Sequence, residues 1–459
     1  MGETARVQLP DVNYARSGDV AIAYQVIEGT AGRVPASDVV FVRHMSGDLV
    51  STWEQPLLVR HVEGLAANGR VLLLDRRGTG LSDRVREVQS LETTMDDIRA
   101  VMDAAESEHA VLWTGLHSTG IGLLFAATYP DRCAGLMLLD PIVRGTRADD
   151  YPWAPSAEEW RDRLREVRAG WGERGYLEAL AREWAPEMAD DDTFVDWLVW
   201  HMRRSMSPGA ALTANRMAME VDVVDVLAAV RVPTLILARP AHLERARFAA
   251  DRIRGASLVT LPPLEGIFTW VVDAVHDAAM AATSSFIRTL AGVDRHERVL
   301  ATVLFTDIVG STELAADIGD AAWRDLLARH HGIVRREISR YRGVELDTAG
   351  DGFFATFDGP ARAVQAAVAI RDAVEPIGIR IRAGLHTGEC ELHDGKMAGI
   401  AVSIGARIAH LAGAGEVLVS STVRDLVAGS GLRFDPHGSH RLKGVPDEWS
   451  IFAVTTGLG

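Results

Sequence analysis

Six short apolar runs punctuate the first part of the chain: DVVFVRH (38–44), RVLLLD (70–75), AVLWTG (110–115), AGLMLLD (134–140), VPTLILA (232–238) and, more weakly, SLVTLP (257–262). Each is followed by turn residues, and helix-length stretches separate them, which predicts a mostly parallel sheet covered by helices on both faces. Between about 150 and 225 the sequence becomes Trp-rich, charged and helical, without strand candidates. That change predicts a helical insertion lying over the end of the sheet. Within it, Ala189-Asp190-Asp191-Asp192 predicts a helix start, because acids are favourable at the positive end of a helix.

A second alternation begins at Thr302. AAWRDLLARHHGIVRREISRYRG (321–343) sets Trp323, Leu326, Leu327, Val334, Ile338 and Tyr341 close to one helical face, with Gly343 as the stop. Strand candidates follow at GFFATF (352–357), IRIRAGLHTG (379–388) and EVLVS (416–420), and Pro360 opens an alanine-rich helix. The expected organisation is an α/β unit over 1–290, a charged connector over 291–299 and a second α/β unit over 300–459.

Composition narrows the function classes. With 47% hydrophobic and 24% charged residues, the 459-residue chain has the balance of a soluble globular protein. A formal net charge of −15 repels phosphate backbones, so general nucleic acid binding is not expected. Two cysteines, Cys133 and Cys390, one in each expected unit, give no disulfide framework and point to a reducing cytoplasm. The start MGETARVQLP lacks the apolar core of a signal peptide, and the apolar stretch 111–130 contains His117 and a Gly-Ser-Thr turn signal that argue against a membrane span. The fifteen histidines show no zinc-site spacing.

Candidate chemistry concentrates in the second unit. VLFTDIVGST (303–312) aims Asp307 out of the end of an apolar strand, and LDTAGDGFFATF (346–357) puts Asp351 in a Gly-Asp-Gly turn before another strand. Two carboxylates at neighbouring strand ends suit a pair of hard divalent cations acting on phosphoryl oxygens. The alternative is that each acid merely caps a turn.

FTDIVGST, DTAGDGFFATF, IRAGLHTGE (381–389), GIAVSIGARIAHLAG (399–413) and HRLKGVPDEWSIF (440–452) together resemble the catalytic domain of class III adenylate and guanylate cyclases. The resemblance implies a ferredoxin-like α+β domain that pairs head to tail as a homodimer, with active sites across the interface. It implies that Asp307, Asp351 and the Ile308 carbonyl hold two Mg2+ or Mn2+ ions per site. Gly310, Ser311 and Thr312 would offer amides to the triphosphate, Arg382 and Lys443 would bind phosphate, and Arg407 would stabilise charge on the α-phosphate. Three positions depart from the family pattern: Asp347 stands where a purine-reading lysine is usual, Lys396 where an aspartate or small polar residue is usual, and Ser403 where an asparagine is usual.

The first unit resembles the α/β-hydrolase fold through DRRGTGLSD (75–83), GLHSTG (115–120) and VPTLILARP (232–240), with the 150–225 insertion in the place of a cap. Such hydrolases need a serine on a G-x-S-x-G elbow, a late acid and a last histidine. Here Leu116 replaces the first glycine before Ser118, and the family's helix length would instead put Leu116 itself at the nucleophile position. His242 appears where the acid is expected, and Glu265 and Gly266 where the histidine is expected. An inefficient or inactive hydrolase follows, serving as a sensor for a small apolar ligand.

The combined expectation is a cytoplasmic adenylate cyclase that makes 3′,5′-cyclic AMP from ATP at a homodimer interface. The alternatives are a guanylate cyclase using GTP, or an esterase with a nucleotide-binding regulatory module.

Overall fold

A computed structural model describes residues 9–29, 38–44, 47–85, 90–290, 298–393 and 396–455. The chain forms two compact units, Met1–Arg295 and His296–Gly459. Of the expected connector, 291–297 lies outside the described residues, and the next two positions already belong to a strand.

The first unit is built on eight strands: β1 (Asn13–Ser17), β2 (Val20–Ile27), β3 (Asp38–Phe41), β4 (Val71–Leu74), β5 (Ala110–Gly115), β6 (Cys133–Leu139), β7 (Thr234–Ala238) and β8 (Ser257–Thr260). They are ordered β1-β2-β4-β3-β5-β6-β7-β8, with β3 to β8 parallel and β1 and β2 antiparallel at one edge. The central runs are unbroken because both faces are covered: Val39, Val71 and Val111 are buried on one side and Val40, Leu72 and Leu112 on the other. At the far edge β8 is mostly exposed, which is why its apolar signal is weak.

Helices α1 (Pro56–Ala66), α2 (Leu91–Ala104) and α3 (Thr119–Thr128) connect the early strands. The insertion then folds as α4 (Ala157–Gly170), α5 (Arg174–Trp184), α6 (Asp192–Ser205) and α7 (Pro208–Glu220), before α8 (Leu243–Ala250) and α9 (Asp273–Thr289) complete the unit. The acidic run does begin a helix: Asp191 caps α6 by accepting from the amides of Thr193 and Phe194. Of the insertion's tryptophans, Trp160, Trp171 and Trp184 are buried, whereas Trp153 and Trp200 are exposed.

In the second unit, β9 (Arg298–Ile308), α10 (Ser311–Ile318), α11 (Asp320–Arg340), β10 (Val344–Ala349), β11 (Gly352–Phe357), α12 (Pro360–Val374) and β12 (Ile381–His393) come first. Leaving the short α10 aside, they make a βαββαβ chain whose strands lie in the order β10-β11-β9-β12, all antiparallel, the ferredoxin-like arrangement. Next come β13 (Lys396–Ala398), α13 (Ile400–Leu411), β14 (Val417–Ser420), α14 (Ser421–Leu426), β15 (Arg433–Arg441) and β16 (Glu448–Thr455), extending the sheet as β12-β14-β16-β15.

The sheet is covered on both faces. Leu304 and Ile308 of β9 pack with Val334 and Ile338 of α11 and the alanine-rich face of α12. Ala301 and Val303, pointing the other way, pack with Ala401 of α13. That helix approaches closely only because two glycines permit it. A Cβ on Gly384 would lie 2.0 Å from the Ala409 nitrogen, and one on Gly405 would lie 2.6 Å from a Val303 methyl. Gly384→Ala should therefore destabilise the protein by about 1–3 kcal/mol in denaturant unfolding through overpacking. Gly332→Ala, on the exposed face of α11 with open space around it, should be neutral or stabilising by about 0.5–1 kcal/mol. Equal effects of the two would show that backbone entropy rather than helix approach sets the cost.

Candidate active site

The end of β9 organises a cleft in the second unit. Side chains alternate along a strand, so Phe305 and Asp307 share the face covered by α13. On that face Ala301 and Val303 are buried and Phe305 half-buried, and Asp307 is the first polar side chain to reach solvent, with 36% of it exposed. Arg382 lies directly opposite Asp307 in the β9/β12 ladder, and its Nε donates to Asp307 Oδ2 at 3.0 Å. Phe354 pairs with Phe305 across β11/β9, their rings stacked 4.5 Å apart and within 4° of parallel, and Asp347 pairs with Phe354 one strand further out. Phe305, Asp307, Asp347, Phe354 and Arg382 line this cleft together with Ala406, Ala409 and His410 of α13.

Asp351 sits in the two-residue turn between β10 and β11, where Gly350 adopts φ +66°. In the β11/β9 register Phe353 opposes Thr306, so continuing it sets Asp351 beside the end of β9 that presents Asp307. The Asp351 Oδ2 atom is buried with no protein hydrogen-bond partner, a costly state for a carboxylate oxygen unless a cation fills it. Behind the turn, His331 Nε2 lies 3.1 Å from the Gly350 carbonyl. Burial lowers the neighbouring His330 to a pKa of about 4.

After Ile308, Gly310 takes φ +71° and α10 starts at Ser311 with no side-chain cap, leaving its first-turn amides open, with Thr312 exposed on that turn. Ser403 and Arg407, four apart on α13, share its exposed face, and Arg407 Nε donates to the carbonyl of the exposed Lys443 at 3.1 Å. The structure thus brings Asp307, Asp347 and Arg382 into one cleft and joins Arg407 to Lys443 elsewhere on the same unit; Ser403, Arg407 and Lys443 do not line the cleft. Lys396 opens β13, paired with β12, and its side chain lies outside the described residues. Sequence reading missed the Phe305–Phe354 platform, although the alternation in FTD and GFFATF contains it.

A test for metal ions falls on these carboxylates. Among the described residues no three His, Cys, Asp or Glu side chains gather as a metal cluster. The donor set is instead two acids at adjoining strand ends, oxygen-only and suited to hard divalent cations. The unpartnered Asp351 oxygen and the guanidinium already held by Asp307 both fit cation binding there.

The first unit has a different cavity, at the ends of β3 and β5. β5 ends at Gly115, Leu116 takes φ +50°, and a short 3-10 turn leads into α3. A non-glycine residue in the left-handed region on a strand-to-helix turn is the posture of a nucleophile elbow, and here leucine occupies it and lines the cavity. Ser118 is fully buried instead, its Oγ accepting from the Gly115 amide at 3.0 Å and donating toward the Gly115 and Val42 carbonyls. After β7, Arg239 is buried and ion-paired with Asp140, and the amides of Glu265 and Gly266 donate to Glu187. His242 is driven by burial to a pKa of about 4.

Residues 293–456 match the family described as the Adenylate and Guanylate cyclase catalytic domain, and residues 58–238 match that described as Serine aminopeptidase, S33. The second unit belongs to the cyclase catalytic domain family. An uncharacterized protein of Mycobacterium tuberculosis is 33% identical over 164 residues, covering 32% of this chain and 53% of its own. A receptor-type adenylate cyclase of Trypanosoma congolense is 30% identical over 210 residues, 34% of this chain and 28% of its own. The chain spans about half or less of the length of the curated relatives it matches. Among solved structures, the adenylyl cyclase CyaB from P. aeruginosa aligns at 24% identity with a TM-score of 0.33, over 35% of this chain and 95% of its own. The esterase EaEST from Exiguobacterium antarcticum aligns at 18% identity with a TM-score of 0.50, over 60% of this chain and 99% of its own, a likeness of fold.

The cyclase domain therefore adjoins, in sequence, a unit with the α/β-hydrolase fold whose elbow bears leucine. Ser118→Ala should cost about 1–3 kcal/mol in unfolding experiments, because it strips buried backbone groups of a partner. Turnover of short acyl esters should be equally negligible before and after the change. A measurable turnover abolished by the substitution would identify Ser118 as a nucleophile after all.

Proposed function

We propose that the protein is an adenylate cyclase, converting ATP to 3′,5′-cyclic AMP and pyrophosphate at the interface of a homodimer. The observation that carries this reading is the juxtaposition of Asp307 and Asp351 at adjoining strand ends, with a buried Asp351 oxygen that no protein group satisfies. Membership of the second unit in the cyclase catalytic domain family supports it, as do relatives named adenylate cyclases. That naming favours ATP over GTP.

Asp307, Asp351 and the Ile308 carbonyl would hold two magnesium or manganese ions. Bound there, the ions supply acidification of the ribose 3′-hydroxyl and neutralisation of triphosphate charge. The open amides at Gly310, Ser311 and Thr312 would receive phosphate oxygens at the positive end of α10. Arg382, directly across from Asp307, would bind phosphate beside the metal-binding acid. The 3′-oxygen attacks the α-phosphorus, the bond to the β-phosphate bridging oxygen breaks, and pyrophosphate leaves while the hydroxyl proton passes to solvent. Arg407 would stabilise the charge that develops on the α-phosphate, with Lys443 on the phosphates and Ser403 beside them.

Arg407, Ser403 and Lys443 stand apart from the cleft within one unit, which supports a site completed by a second copy. Asp347 is exposed in the cleft and, among the described residues, accepts only from its neighbour Thr348 at 2.9 Å, leaving carboxylate oxygen for a purine amino group; Lys396 would be its counterpart in base selection. The first unit would sense a small apolar ligand, and a nucleoside triphosphate substrate would suit a cytoplasmic protein. No helix among the described residues is long and apolar enough to cross a membrane.

Purified full-length protein with manganese should form cyclic nucleotide from ATP in preference to GTP, and Asp351→Ala should lower the rate by at least about 100-fold, as loss of a group acting on transition-state charge does. No product from either nucleotide would leave a nucleotide-binding module. Mixing Asp307→Ala with Arg407→Ala protein should recover activity above either variant alone, because one hybrid site of the dimer then holds both intact halves. Absence of recovery would refute the shared site.

A further inference from the structure

The cavity of the first unit contains more unsatisfied hydrogen-bonding capacity than an apolar pocket tolerates. His61 is 1% exposed and neither ring nitrogen has a hydrogen-bond partner. Trp113 Nε1, Arg43 Nε and His44 Nδ1 are likewise buried and unpartnered, and all four residues line the cavity. Each such group costs about 1–3 kcal/mol if left dry, so a cluster of them around one space calls for an occupant with complementary atoms.

The chemistry of that occupant follows from the groups. The indole and the Arg43 Nε can only donate, and each imidazole, neutral through burial, offers one donor and one acceptor. Donors are therefore in excess, and the matching atom is an acceptor oxygen. A negative charge is not called for, because Arg43 is already neutralised by Asp75 at 2.9 Å, and no Asp or Glu lines the cavity among the described residues. Phe41, Leu58, Trp197, Phe268 and Trp270 make the rest of the wall apolar and largely aromatic. At the point where a hydrolase presents its nucleophile stands the methyl-tipped Leu116. The other histidine of the wall, His201, is engaged with Ser51 Oγ at 2.7 Å and is not a free base.

We infer that this cavity binds a neutral, largely apolar small molecule bearing a carbonyl-type oxygen, held by Trp113 and His61 and not hydrolysed. The inference rests on reading the first unit as a sensor and gives that sensor its ligand class.

Calorimetric titration of the full-length protein with three molecules of similar shape tests it: benzylacetone, a neutral ketone; hydrocinnamate, its anionic counterpart; and butylbenzene, which lacks the oxygen. Benzylacetone should bind tightest. His61→Phe and Trp113→Phe should each weaken it about 2- to 12-fold, the worth of one hydrogen bond, while butylbenzene binding stays unchanged and certifies the fold of each variant. Phenethyl acetate should bind without releasing phenethyl alcohol. Benzylacetone binding no tighter than butylbenzene, tighter hydrocinnamate binding, ester cleavage, or no binding by any of the molecules would each overturn the proposal. A saturating benzylacetone concentration that leaves the cyclase rate unchanged would refute the sensor reading while leaving the ligand class standing.

Discussion

The close seat of α13 on the β9/β12 pair is the constraint on which the candidate active site depends. Two glycines, Gly384 and Gly405, remove the side chains that would hold the helix away. With the helix in place, Val303 is buried and Phe305 half-buried on the α13 face, and the next side chain on that face is Asp307. A carboxylate one residue earlier, at Thr306, would be buried on the opposite face, toward α11 and α12, at a cost of several kcal/mol. One residue after Asp307 it would sit on that same opposite face. The charge emerges at the single position where the strand can present it on the cleft side, and the cross-strand Arg382 balances it there.

The parallel core of the first unit was legible in the sequence because strands covered on both faces must be continuously apolar. DVVFVRH, RVLLLD, AVLWTG and VPTLILA each contain an observed strand. The strands that escaped notice are of another kind. β10 and β15 are edge strands with little apolar alternation; β15, RFDPHGSHR, even carries Pro436, tolerable only where a backbone amide has no partner to serve. β1 and β2 form an antiparallel hairpin ahead of the helix-alternating region, outside the pattern that revealed the rest. The acids Asp307 and Asp351 stood out because a charge ending an apolar run is locally anomalous. The pairing of Arg382 with Asp307 could not, since only sheet register brings positions 75 residues apart face to face.

The first unit separates fold from chemistry. Its strand order, its turn after β5 and its helical insertion are those that support hydrolysis elsewhere, yet the elbow's left-handed residue is Leu116. A leucine held at φ +50° costs of the order of 1 kcal/mol or more that a glycine would avoid. The surrounding structure maintains that posture without any nucleophile to benefit. What Leu116 contributes is its side chain, directed to the wall of a cavity whose other walls are aromatic. The sequence motif invited attention to Ser118, but that hydroxyl ties β3 to the elbow by bonding the Val42 and Gly115 carbonyls. A serine within a catalytic-looking string can thus be spent wholly on backbone satisfaction.

Buried polar groups therefore carry two opposite meanings, and the distinction is whether partners exist. Asp75, Asp97 and Asp140 are fully buried acids, each matched to an arginine, Arg43, Arg77 and Arg239, so their charge is compensated within the fold. Gly80 even wraps the Asp75 carboxylate at a distance no Cβ would allow. Asp351 Oδ2, His61 and Trp113 Nε1 have no such match. Those left bare line or adjoin concave surfaces, which is where atoms from outside the chain can complete them.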